Sequence, residues 1–169
     1  VEDVKATFER CPIDPDEVLM VVLPTTNLIS WLHDRGDFIS LKLNGKSPEF
    51  RGSICESAHS WLYWHHDFRK KQLAIQRVHD PEAGRSGVET LACLLLDALE
   101  EAEKWNLPKV IIWDAKERLL HAMKLLEATF TVKVESKERT KSSMPSLRWR
   151  GASQKKNVKV LLNEFYSWS

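Results

Sequence analysis

The chain has little cysteine, and none of it is placed for chemistry. Cys11, Cys55 and Cys93 are odd in number and far apart, which rules out metal-ligand or redox spacing and suits a reducing compartment. Long apolar runs are missing too. The longest, residues 91–96, is broken at Asp97, far short of the ~20 residues that a bilayer-spanning helix requires. With no signal-peptide pattern either, the sequence predicts a cytoplasmic, intracellular protein with no membrane partner. Charge of one sign is not in excess: 25 Lys and Arg against 24 Asp and Glu give a net charge of +1. That removes any global electrostatic case for nucleic acid. Internal repeats and low-complexity tracts are absent. The chain also opens on Val1-Glu2 rather than Met, which predicts a processed product or a fragment of a longer protein and leaves room for a targeting segment upstream.

What is present describes an ordinary globular domain. The 169 residues, 43% hydrophobic and 29% charged, are enough to bury a core and argue against disorder. Residues 1–16, with Pro12, Pro15 and several acids, read as a short helix or linker, an N-terminal extension to a domain over 17–169. Residues 18–23 form an apolar run ended by Pro24, as in a buried strand. Thr25, Thr26 and Asn27 offer N-caps for a helix that Gly36 is placed to break, with Asn44-Gly45 as a stop. Residues 51–56 read as a strand. Residues 60–67 and 72–79 are two strands joined in a hairpin by Phe68-Arg-Lys-Lys71. Aromatic residues on both faces of the first mark it as a central strand covered on both sides.

After Asp80-Pro81 comes a loop with Gly84 and Gly87, then the longest amphipathic helix. Leu91, Leu94, Leu95, Ala98, Leu99 and Ala102 lie on one face of it. Residues 110–113 form a short apolar strand, expected to run parallel to 72–79 through a crossover connection. A further helix over 116–128 is expected to point Leu119, Leu120, Ala122, Met123 and Leu126 inward. Residues 131–139, 145–149 and 158–165 read as closing strands. The fold class is therefore α/β (α+β): a mixed, mostly antiparallel sheet with a central parallel strand pair and helices on both faces.

Several constellations invite chemistry, each beside a plainer explanation. His65-His66, with His59 and His79 near in sequence, suggests a metal. Adjacent strand residues point to opposite faces, however, so the pair does not chelate one ion, and packed or surface histidines are expected. Lys137, Arg139, Lys141, Arg148, Arg150, Lys155 and Lys156 face only Glu138 in that stretch. A solvated loop or blunted sheet edge explains them as well as an anion-steering segment does. The seven tryptophans are mostly expected in the core, with Trp149 and Trp168 as interface candidates. The Gly84–Gly87 loop, opening a helix, offers backbone N–H groups to a phosphate, or is simply a tight turn.

By that loop, the order of elements resembles the GNAT acyltransferase fold. In that family a splayed strand leads into a Gln/Arg-x-x-Gly-x-Gly/Ala loop whose amides hold the pyrophosphate of acetyl-CoA. Later comes Asn-x-x-Ala-x-x-Leu-Tyr-x-x-x-Gly-Phe. Here the first motif glycine is Gly87, with Gly84 in place of Gln/Arg and Glu89 in place of the second small residue. A carboxylate there repels a pyrophosphate by about 1 kcal/mol or more at contact distance. The second stretch holds Leu119, Ala122, Leu125, Leu126, Thr129 and Phe130. Leu126 takes the place of the tyrosine that many family members use as general acid, and leucine donates no proton.

Further segments resemble something narrower, the C-terminal half of fungal lysine N-acetyltransferases of lysine catabolism. They are Pro24-Thr-Thr-Asn-Leu-Ile-Ser-Trp-Leu-His33, Ala74-Ile-Gln-Arg77, Pro145-Ser-Leu-Arg-Trp149 and Leu162-Asn-Glu-Phe-Tyr166. The resemblance implies an acetyl-CoA-dependent transferase acting on lysine or a similar small-molecule amine. This chain would be a degenerate domain that shapes the acceptor site or supports an N-terminal catalytic half of the same polypeptide. Two rivals remain. In the first the chain is itself catalytic, with Gly84, Arg85, Ser86 and Gly87 on the pyrophosphate and Glu56 as base. In the second it is a non-enzymatic binding module using the basic segment over 137–156.

Overall fold

The structure is a computed structural model and describes residues 2–12, 14, 16–81, 85–138 and 157–161. The N-terminal extension opens as a helix, α1 (Glu2–Arg10), with Val4 buried. The apolar run after it yields a shorter strand than expected. β1 covers Glu17–Met20 and is half-buried, and residues 21–25 lie outside any ladder. β1 pairs in parallel with β6 (Asn157–Val160), which places Val18 beside Val158 and Met20 beside Val160. β6 is the described part of the strand expected over 158–165; residues from 162 onward, and the strand expected over 145–149, lie outside the described residues.

The helix starting after Thr25 is a single one. α2 runs Thr26–Asn44, its first turn capped by Thr25 Oγ1, which accepts from the Leu28 N–H at 3.4 Å. Gly36 does not break it, contrary to the sequence expectation. It lies buried on the inner stripe with Leu32 and Ser40, and a Cβ built on it would stand 3.5 Å from the His66 carbonyl oxygen. That is ordinary contact, so the close packing does not require glycine here, and the helix carries its low propensity within a buried stripe. The stop is where the sequence placed it. Gly45 adopts φ +71° and its N–H donates to Leu41 O at 3.1 Å, closing the helix end.

The main sheet has four strands in the order β2-β3-β4-β5. β2 is Gly52–Cys55, one residue shorter at each end than expected, and β3 is Ser60–Asp67. β4 is Gln72–His79 and β5 is Val110–Ile112. β2, β3 and β4 are antiparallel neighbours, whereas β4 and β5 are parallel. Gly52 permits the tight β2–β3 approach, since a Cβ there would sit 2.5 Å from Leu62 O. β3 is central, as its aromatic faces predicted. Leu62, Trp64 and His66 turn toward α3 (Arg85–Lys104), whose inner stripe Leu91, Leu94, Leu95, Ala98 and Ala102 is buried against them.

α4 (Glu117–Thr129) packs on α3 through Leu119, Ala122 and Leu126. Leu120, expected inward, is instead exposed, so the buried stripe is narrower than the sequence reading made it. The strand expected over 131–139 is likewise absent among the described residues. Residues 131–138 join no ladder, and the Val134 N–H donates to Glu127 Oε1 at 2.9 Å. Lys133 and Lys137 both pair with Glu135 at 2.6 Å. The Val132 N–H donates locally to the Phe130 carbonyl at 2.8 Å.

Candidate functional site

The site grows out of one irregularity in β4. Tyr63 faces Arg77 and Trp64 faces Ile75, so Gln76 is an extra residue, a β-bulge. β4 is bonded to β5 only through Leu73, Ala74 and Ile75. Beyond the bulge the two strands part, and a cavity of about 310 Å³ opens between them. Its apolar wall is Ile75, Val78, Leu91, Ile112 and Leu119. Asp114, held at φ +54°, turns the chain from β5 toward α4 on its rim.

Arg118, in the first turn of α4, reaches back to the end of β4. Its Nη2 stands 2.7 Å from Asp80 Oδ2 and also donates to the Asp80 carbonyl at 3.1 Å. Both residues line the cavity, and the pair ties the end of β4 to the first turn of α4 beside it. The charges on the lining cancel. Arg77, Lys116 and Arg118 stand against Asp80, Asp114 and Glu117. The described lining thus has no cationic bias, and its volume is near the lower limit for a small-molecule pocket. Gln76 is fully buried, and its Oε1 has no hydrogen-bond partner among the described residues.

The two neighbouring histidines work on opposite faces, as strand geometry requires. His65 Nδ1 lies 2.7 Å from Gln76 Nε2; the amide donates, so the imidazole is neutral there. Burial pulls His65 down to about 4. His66 Nδ1 faces Arg51 Nη1 at 3.4 Å, and a guanidinium only donates, which leaves Nε2–H to donate to Glu101 Oε1 at 3.1 Å. Burial first, and the Arg51 cation second, hold His66 at about 3. Glu101 Oε1 also accepts from Trp105 Nε1 at 2.8 Å, and Arg51 pairs with Asp37 of α2. These links tie α2, β3 and α3 together. Among the described residues no group of three His, Cys, Asp or Glu could hold a metal ion.

The residues singled out in the sequence fall in different places. Glu56 is exposed in the turn after β2, not on the strand, and is not part of the cavity lining. Gly84 lies outside the described residues. Arg85 and Ser86 begin α3, with nothing described of their side chains, and Gly87 is buried in its first turn. Glu89 is exposed one turn into α3. Leu126 is in the core. The step from Leu126 to Thr129 is one residue shorter than the tyrosine-to-glycine step of the motif. Counting back from Thr129 and Phe130 puts Leu125 at the tyrosine position instead, and that is again a leucine. Of the basic segment, Lys137 is described and pairs with Glu135; residues 139–156 lie outside. Trp64 and Trp105 are core residues as expected, while Trp31 is exposed, and Trp149 and Trp168 lie outside the described residues. Sequence reasoning missed Gln76 and the Arg118–Asp80 strap, because neither a bulge nor a long-range ion pair has a periodic signature.

Among the described residues no helix is long and apolar enough to cross a membrane. No solved structure matches the chain. It is similar to the uncharacterized protein YGR111W of Saccharomyces cerevisiae, 26% identical over 128 residues. That match covers 73% of this chain and 32% of the yeast protein, so the chain spans about a third of that relative's length. The family described as the LYC1 GNAT-like C-terminal domain matches over residues 1–169. With its splayed parallel strands and flanking helices, the chain belongs to that family, an acetyltransferase-type domain.

Proposed function

We propose that this chain is a degenerate GNAT-like domain of an acetyl-CoA-dependent N-acetyltransferase acting on lysine or a similar small amine. In that reaction the amine attacks the acetyl carbonyl, the carbon–sulfur bond breaks, CoA leaves as a thiolate, and the amine sheds a proton. Positioning supplies much of the rate of such a transfer. None of those steps is assigned to a residue of this chain. Leucine occupies the place of a proton-donating tyrosine in either register. The chain instead shapes the acceptor site or braces the catalytic half of the same polypeptide.

The observation that carries this reading is the Arg118–Asp80 pair. Both residues line the cavity between the parted strands, and Asp80 takes up the Arg118 charge that would otherwise be offered to an anionic cofactor there. Glu89, where the family's loop has a small residue, supports the same conclusion. The test is acetyl transfer to free lysine, read by mass spectrometry. The polypeptide encoded by the complete reading frame is expected to form acetyl-lysine, and this chain alone is not. Turnover by the isolated chain would overturn the reading.

A further inference from the structure

α2 presents two opposite stripes. Leu32, Gly36 and Ser40 recur every fourth residue and are buried against the sheet. Trp31, Phe38 and Leu41 stand on the other side of the helix, 53%, 64% and 53% exposed. Scattered exposed leucines need no explanation, but two large aromatics and a leucine sharing one helical stripe resemble the centre of an interface. Cations sit over the rings: Arg35 is 5.4 Å from the Trp31 centroid and Lys42 5.8 Å from that of Phe38. The stripe thus combines an apolar ridge with charged shoulders. The yeast relative has about two thirds of its length beyond the matched region, which is enough polypeptide for another domain to cover such a ridge.

We infer that this α2 stripe is the docking face for the remainder of the same polypeptide, its catalytic half. The complementary surface is an apolar groove carrying carboxylates for Arg35 and Lys42. This rests on the reading above that such a half exists.

The experiment is hydroxyl-radical footprinting of the polypeptide from the complete reading frame, compared with the isolated chain. Trp31 and Phe38 are expected to be oxidised several-fold more slowly in the longer protein, while Leu120 and Leu125, exposed on α4, react equally in both. The double variant Trp31→Glu, Phe38→Glu is expected to leave the unfolding midpoint of the isolated chain unchanged. In the longer protein it should restore oxidation of Leu41. Equal labelling of Trp31 and Phe38 in the two proteins overturns the inference. So does a reading frame with no upstream domain, or protection already present in an isolated chain that dimerises. Protection without any acetyl transfer would keep the docking face and sink the proposed activity; transfer without protection would do the reverse.

Discussion

Arg118 holds Asp80 by a 2.7 Å ion pair and a second bond to its carbonyl, linking the first turn of α4 to the end of β4. The pair is partly buried, so it is less screened than a surface bridge. Arg118→Ala is expected to cost about 1–2 kcal/mol in urea unfolding, the worth of a hydrogen-bonded charge. Arg118→Lys should recover part of it, because both bonds come from Nη2 alone and an ammonium also donates to two oxygens, though from a shorter and differently placed stem. A neutral Arg118→Ala result would mean that the strap contributes nothing to the fold.

Glu101 is the shared acceptor for His66 and Trp105. Glu101→Ala strands two buried donors and is expected to destabilise by about 2–4 kcal/mol, whereas Glu101→Gln, which keeps an acceptor oxygen, should cost less. Chemical denaturation of the two variants side by side checks this. Equal losses would show that packing matters there and hydrogen bonding does not.

Both buried histidines sit below the ordinary 6.5, His65 at about 4 and His66 at about 3. The unfolded chain therefore takes up protons before the folded one does. Stability is complete above the unfolded value, falls as pH drops through it, and levels off once the folded values are passed. Each histidine contributes a slope of about 1.4 kcal/mol per pH unit in that window. Between about pH 6 and about pH 5, His65→Asn should remove most of one such slope. Unfolding free energies of wild type and variant that run parallel across that interval would contradict the assignment.

Two glycines should respond differently to a methyl group. Gly52→Ala places a Cβ 2.5 Å from the Leu62 carbonyl, and the strand pair must separate. A loss of about 2 kcal/mol or more is expected in thermal or urea unfolding. Gly45 has nothing within 4 Å, but its φ is +71°. Gly45→Ala should cost only about 1 kcal/mol, the strain of a left-handed cap. If Gly45→Ala proved the costlier change, the close β2–β3 approach would be in question.

The elements that could be read from the sequence are those with a strong local signal. The 60–67 and 72–79 hairpin, the α3 face of Leu91, Leu94, Leu95 and Ala98, and the Thr25 and Gly45 caps all follow from periodicity or cap chemistry. Gly36 does not stop α2 because helix propensity speaks of the isolated helix, whereas Leu32, Gly36 and Ser40 are buried together in the folded one. The strand expected over 131–139 failed for a related reason. Alternating Val132, Lys133, Val134 and Glu135 fit a strand, but a ladder needs a neighbour in register, and among the described residues the Val134 N–H instead donates to the Glu127 side chain. At the site, substitution at Glu89 and Leu126 was visible in the sequence. The bulge at Gln76 and the reach of Arg118 were not, since both depend on where β4 and β5 part.

That parting, with Arg118 paired to Asp80 on the cavity wall, is the feature on which the proposed loss of activity rests. Calorimetric titration of acetyl-CoA into the purified chain tests it most directly. No saturable heat is expected at micromolar ligand for the wild-type chain. A micromolar dissociation constant for the wild-type chain would contradict it and restore the reading of an autonomous acetyltransferase with a diverged loop.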